Sequence, residues 1–296
     1  MNKQNGLFFI FLSSLLFGSY GIWSRLIGSS FDPFFQGWTR GLLIVLILFP
    51  FLWYQKQIVP IAKKDYLWLC TFLIFTSFTQ APLFYAFNHM DIGSATLLFF
   101  VSMLITMYLV GILFLKEKIT KIKVVSFIFA AIGLYTVFSF SLVFFSLLAA
   151  GMAILNGVAS GGEVSSSKKL SEKYSPLYIC WLSWFIIFLT NAPISIFLGE
   201  TQHVPALNLA WLYQIGYTLS SLFGFWLIIK GLKYVEASIG GLVGLLEIVW
   251  SILFAMLIFH EELSRKIIIG ALLILVAAAL PHVTTIVQKL MKRKMF

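Results

Sequence analysis

Charge is what this sequence has least of: 11 acidic and 21 basic residues among 296, or 11% of the chain, against 60% hydrophobic residues. A soluble domain carries about a quarter charged residues. With a mean hydropathy of +0.96, the chain falls outside the soluble class and reads as an all-α integral membrane protein. Cysteine is nearly absent too. Cys70 and Cys180 are the two present, both inside apolar segments, which excludes a disulfide framework or a zinc site and makes them small packing residues. The four histidines, His89, His203, His260 and His282, are scattered, and HEELS at 260–264 lacks the HExxH spacing. No convergent set of His, Asp, Ser or metal ligands is visible, so neither a lipid-modifying enzyme, a metal nor a cofactor is expected. The net charge of +10 does not point to nucleic acid, because the basic residues lie in short clusters between apolar runs, where they set orientation.

What fills the chain is membrane-length apolar segments. Ten helices are predicted at about 7–27, 35–54, 66–87, 92–115, 122–139, 143–166, 176–198, 208–230, 237–259 and 266–286. The first has the charge and apolar run of a signal peptide, but its apolar pattern continues through Ile27 and is matched later in the chain, so it is read as retained. With the N-terminus inside, 17 of the 21 Lys and Arg residues fall on the cytosolic side, among them Lys116, Lys118, Lys121 and Lys123. Only Arg265 and Lys266 fall outside, and Arg25 and Arg40 lie in helices. Both termini are therefore predicted cytosolic. Very short termini and Lys-, Ile- and Phe-rich usage lean toward a multi-pass protein of a prokaryotic cytoplasmic (inner) membrane.

The chain also repeats. A shift of 143 places Gly18 on Gly161, Pro33 on Pro176, Trp38 on Trp181 and Pro50 on Pro193; a shift of 144 places Leu98 on Leu242 and Glu117 on Glu261. Two units follow, 1–140 and 141–296, of five helices each. An odd number forces the units to insert with opposite topology, the inverted repeat of many alternating-access transporters.

These residues resemble a known family. LKEKIT followed by IKVVSFIFAAIGL, the echo FHEELSRKIIIGALLILVAA, and FFQGWTRGLLIVL in the second helix are similar to the two repeats of the EamA family in the drug/metabolite transporter superfamily. The resemblance implies a permease for small metabolites, often an exporter of amino acids or related compounds, with a central cavity between the halves. One departure is that Ser183 stands where the first repeat has Arg40.

Read for their own chemistry, the residues single out Glu247. It lies mid-way along ASIGGLVGLLEIVWSILFAMLIF, on a narrow arc with Ala237, Gly240, Gly244, Ser251 and Ala255. A charged group near mid-bilayer costs about 2.5–3.5 kcal/mol on insertion scales, so this carboxyl should face protein or trapped water, either on a polar path or as a hydrogen-bonded joint between helices. It is also the first candidate for proton coupling, with Glu163 second because it lies near a helix end within reach of water or Lys168. Polar stripes recur at Asn156, Ser160, Glu163 and Ser167 and at Ser14, Gly18, Gly21 and Arg25. The GxxxG patterns at 37–41, 157–161 and 240–244 suit close helix packing. Arg40 matches a substrate carboxylate or snorkels to the outer interface, as Arg25 is expected to do. Pro82 should interrupt the third helix and free Gln80 for substrate. Tyr20, Trp38, Tyr85, Tyr217 and Trp250 are candidate stacking residues, most of them expected to face lipid or pack.

The substrate-binding set is thus Arg40, Gln80, Asn156, Glu247, Trp250 and Ser251. The expected partners are a small-molecule substrate, the lipid bilayer and a coupling proton. The reading is a secondary transporter of amino acids or related carboxylate-bearing compounds; the alternatives are a multidrug or organic-cation exporter, and a non-transporting scaffold or flippase subunit. Oligomeric state is left open.

Overall fold

In the computed structural model, residues 3–138 and 146–294 are described, with side chains to His282. Among the described residues, ten helical spans are long and apolar enough to cross a membrane: Lys3–Ser30, Pro33–Tyr54, Lys63–His89, Ile92–Leu113, Lys121–Phe138, Leu147–Ser171, Pro176–Phe197, Leu209–Leu232, Ala237–Phe259 and Arg265–His282. They are called the first to tenth spans below. The tenth helix continues in backbone to Lys294. The expected sixth-helix start at 143 lies outside the described residues. Its other end runs five residues past the expected 166, because Ser166 and Ser167 donate back to the carbonyls of Gly162 and Val164 and so fit a helix interior. The side of the bundle at which the first span begins is called the terminal side below; the other is the far side.

Local chemistry marks the boundaries. Pro33 and Pro176, a repeat-related pair, each sit at the start of a span, where the missing N–H would have had no intrahelical acceptor. Asp91, Ser146 and Asn208 accept from the amides of Ser94 (2.8 Å), Ala149 (3.3 Å) and Trp211 (3.0 Å), capping the fourth, sixth and eighth spans.

The packing obeys the repeat. The first span lies on the eighth and the third on the sixth; the sixth packs on the fourth and the first on the ninth; second and seventh, and fifth and tenth, pair with each other. Exchanging the two halves reproduces this set of neighbours. The closest crossings are made by small residues: a Cβ at Gly161 would lie 2.6 Å from the Met103 carbonyl oxygen, so the sixth span rests backbone to backbone on the fourth. Gly41 approaches Trp184 in the same way, but Gly244 does not; nothing lies within 4 Å of its Cβ position. That glycine faces open space, so the packing expected for 240–244 is only half correct. Cys180 is buried, whereas Cys70 is exposed on the outer surface of the bundle and is not the packing residue expected.

Three spans are broken rather than continuous. The first is interrupted at Ser19, the third between Ser77 and Ala81, and the ninth at Leu245. Only the third carries a proline. There Pro82 occupies an early position of the second helical piece, and the break falls just before it, as its effect on preceding residues requires. Gly18 and Leu245, at the first and ninth breaks, are buried, as is Thr76 just before the third.

Candidate functional site

Breaks in transmembrane helices leave backbone groups without helical partners, and in a bilayer these must be met from within the protein. Two of the expected site residues do this. Asn156 of the sixth span donates to the Phe78 carbonyl (3.0 Å), and Ser251 of the ninth donates to the Gly18 carbonyl (2.9 Å). Near Gly18 the Ile22 amide turns to the Ser19 oxygen instead (3.0 Å). Tyr20, just past the first break, Gln80, inside the break of the third span, and Glu247, two residues past Leu245, then come together around one space.

That space is two adjoining cavities. A larger one, about 620 Å³, reaches Phe87, Thr96, Phe138 and Ala255, which lie toward the far-side ends of their spans. A deeper one, about 210 Å³, runs toward the terminal side as far as Met107, Ile228 and Gly240. Phe17, Tyr20, Thr79, Gln80, Phe99 and Glu247 border both. The walls are mostly aromatic and aliphatic, with a few polar groups, as expected of a small-molecule site.

Arg40 is 5% exposed and borders the larger cavity. Its guanidinium carbon lies 3.7 Å from the centre of the Tyr217 ring, and Tyr217 in turn meets Tyr20 edge-on at 4.7 Å. The Nε and Nη1 of Arg40 are buried with no hydrogen-bond partner, as are Gln80 Oε1 and Asn156 Oδ1. Buried polar groups are normally paired; this cluster is a set of unfilled donors and acceptors around a cavity. Glu247 accepts no hydrogen bond from the described residues and borders both cavities. A guanidinium and a carboxyl group thus border one apolar-walled space.

Glu163 departs from its expected surroundings. It is 6% exposed, and its Oε1 accepts from Ser183 (2.6 Å) and Thr76 (2.9 Å). Lys168 is spent elsewhere, donating to the carbonyls of Leu232 (2.8 Å) and Val235 (2.7 Å). Glu163 is therefore an interior group on the wall of the deeper cavity, and Ser183, standing where the first repeat has Arg40, is its hydrogen-bond donor. Trp250 stands apart from these residues. It borders neither cavity; its ring packs edge-on to Phe11 (5.6 Å) and along Phe254 (6.3 Å). Three residues from Glu247, it has turned about 60° off the lumen-facing arc toward the first span. Arg25 lies at the surface, paired with Glu261 and over the Phe259 ring (4.1 Å).

Sequence reasoning missed Thr76 and Ser183 and undervalued Tyr20 and Tyr217. The repeat register held part of the signal, since the shift of 143 that sets Arg40 on Ser183 also sets Tyr20 on Glu163.

The profile of the EamA-like transporter family matches residues 4–139 and again 147–281. The chain belongs to that family. It is a membrane transporter of the drug/metabolite type, built from two EamA repeats. A protein of known crystal structure shares the fold, with a TM-score of 0.80 at 14% identity over 95% of this chain and 97% of that one. No curated protein matches the sequence. In this EamA protein the cavity bordered by Arg40 and Glu247 lies between the two repeats, with walls supplied by both.

Proposed function

We propose that this EamA protein exports small zwitterionic or carboxylate-bearing metabolites, amino acids foremost, by alternating access, with Glu247 as the proton-coupling group. Its setting on this reading is a prokaryotic cytoplasmic membrane with both termini in the cytosol. The observation that carries the proposal is the pairing, around one cavity, of a buried Arg40 with unfilled donors and a Glu247 without a hydrogen-bond partner. A guanidinium recognises a carboxylate through two parallel bonds, and an ammonium group suits Glu247 and the bare oxygens of Gln80 and Asn156. The apolar remainder of the substrate has Phe87, Phe99 and Phe100 to lie against. A proton and a substrate ammonium competing for Glu247 would couple the two fluxes in opposite directions.

One observation favours organic cations instead: two carboxylates, Glu163 and Glu247, border the cavities against one arginine. Glu163 already accepts two hydroxyl hydrogen bonds, which leaves the opposed charges at one each and weighs toward the zwitterion.

The test is uptake of labelled amino acids and organic cations into proteoliposomes, with and without an imposed pH gradient. Saturable, gradient-driven amino-acid transport is expected. Cation transport that ignores Arg40→Ala would put the multidrug reading first, and absence of any transport would favour the scaffold.

A further inference from the structure

The two ends of the cavity are held differently, and the repeat relates them. On the terminal side, Glu117 follows the fourth span, is 8% exposed, and grips the start of the ninth: its carboxylate accepts from the Ala237 amide, the Ser238 amide (3.2 Å) and the Ser238 hydroxyl (2.6 Å). Lys168 adds its two bonds to the carbonyls of Leu232 and Val235, which bracket the turn between the eighth and ninth spans. Leu104 and Met107 of the fourth span press against Gly241. At this end the fourth and ninth spans are locked together.

At the far end they part. The larger cavity runs between Thr96 and Phe100 of the fourth span and Ser251, Ile252 and Ala255 of the ninth. The repeat mates of the locking residues are here: a shift of 144 carries Glu117 to Glu261, and a shift of 143 carries Arg25 to Lys168. Neither mate grips the cavity mouth. Arg25 and Glu261 are instead paired with each other, with about half of each side chain exposed.

We infer that Arg25 and Glu261 form the far-side latch, parked on each other while the cavity is open to that side, and that they replace Glu117 and Lys168 when the transporter turns over. This rests on the alternating-access reading proposed above. By the same shift of 144, the mates of Ala237 and Ser238 are Gly93 and Ser94, and those of Leu232 and Val235 are Asn88 and Asp91. In the alternate state Glu261 displaces the Asp91 cap from the Ser94 amide and takes that amide and the Ser94 hydroxyl at the start of the fourth span, and Arg25 takes the carbonyls of the turn at 88–91. The exchange is uneven by design. Lys123, buried 3.0 Å from Glu236 and 3.7 Å from Glu117, reinforces the terminal-side latch, and its mate by that shift is Ile267. Two packings of unequal strength give a resting state biased to one side and a ligand-dependent flip.

The test uses reporter cysteines in a Cys70→Ser, Cys180→Ser background, labelled with a membrane-impermeant maleimide from either side. Thr96→Cys reports the far-side mouth and Ile228→Cys the terminal-side depth. Glu117→Ala should raise labelling of the Ile228 reporter from the terminal side and lower that of the Thr96 reporter, each by about tenfold, as loss of charge-assisted bonds holding one of two states implies. Adding Glu261→Ala should return both reporters toward their starting balance, since both latches are then gone. A shift untouched by the second substitution, or both reporters rising together as in a loosened fold, overturns the inference. Glu261→Ala alone, at an exposed site that the fold tolerates, should slow transport; an exposed ion pair with no further role would leave it unchanged. Labelling needs no substrate, so reporters that exchange in a protein transporting none of the compounds tried would uphold the latch while sinking the substrate reading.

Discussion

Replacing Arg40 by lysine keeps the charge and removes the geometry, which makes it the sharpest probe of the cavity. The guanidinium is stacked on Tyr217 at 3.7 Å with Nε and Nη1 buried and unpaired. A lysine ammonium cannot stack as a plane or give two parallel bonds to a carboxylate. Loss of one charge-assisted bond costs about 1.5–3 kcal/mol, so the half-saturating concentration of a carboxylate-bearing substrate should rise by about 10- to 150-fold. Arg40→Gln, which loses the charge as well, should do worse. The assay is competition: each protein transports a labelled amino acid in proteoliposomes while unlabelled amino acid or its decarboxylated amine competes. Wild type should prefer the acid strongly, and Arg40→Lys should lose most of that preference while handling the amine as before. If both competitors weaken equally, Arg40 only supports the wall through Tyr217, and the carboxylate assignment is wrong.

Glu247→Gln should abolish dependence on the pH gradient while leaving exchange of substrate across the membrane measurable; Glu163→Gln, which can still accept from Thr76 and Ser183 through its amide oxygen, should leave gradient dependence in place. The reverse pattern in gradient-driven uptake moves the proton to Glu163. Asn156→Leu strips the Phe78 carbonyl of its donor and should cost about 1–3 kcal/mol of stability, read as earlier thermal unfolding in detergent; an unchanged transition means that the break is satisfied some other way. Gly161→Leu drives a side chain into the Met103 backbone, so folded yield on size-exclusion chromatography should collapse, whereas Gly244→Ala, with open space around it, should fold and express normally.

The ten spans and their division into two halves were legible because both depend on one-dimensional quantities: apolar length, and the placing of Pro, Trp and Glu along the chain. The break in the third span was legible through Pro82. The other two were not, since neither Ser19 nor Leu245 carries a backbone constraint of its own. What accompanies the first is a contact to a residue 233 positions away, the Ser251 hydroxyl on the Gly18 carbonyl. The same holds for the polar groups. Glu163 looked like an end-of-helix carboxylate because Lys168 follows it by five residues, yet its donors come from the third and seventh spans. Arg40 was suspended between cavity and interface until the eighth span supplied Tyr217 beneath it. Helical spacing groups residues on a face; which neighbour that face meets is a tertiary fact.

The repeat makes the arrangement of polar groups more telling than a count of them. Tyr20 and Glu163 occupy equivalent positions in the two halves, as do Arg40 and Ser183. In the first half the cation rests on an aromatic ring contributed by the eighth span, and in the second the carboxylate is held by hydroxyls, one of them from the third. The eighth and third spans are themselves repeat mates. A near-symmetric scaffold therefore presents opposite chemistry at equivalent depths, positive from one half and negative from the other. On the alternating-access reading, symmetry in the backbone lets each half do at one face what the other does at the opposite face. On the proposed reading, the divergence at Arg40/Ser183 and Tyr20/Glu163 lies along the walls that the cargo meets. Unpaired groups of opposite charge facing a cavity between the two halves would be a standing cost in low dielectric. On the proposed reading, a cargo carrying both charges would remove that cost when bound, and would so couple occupancy of the cavity to the relative energies of the two inferred latch states.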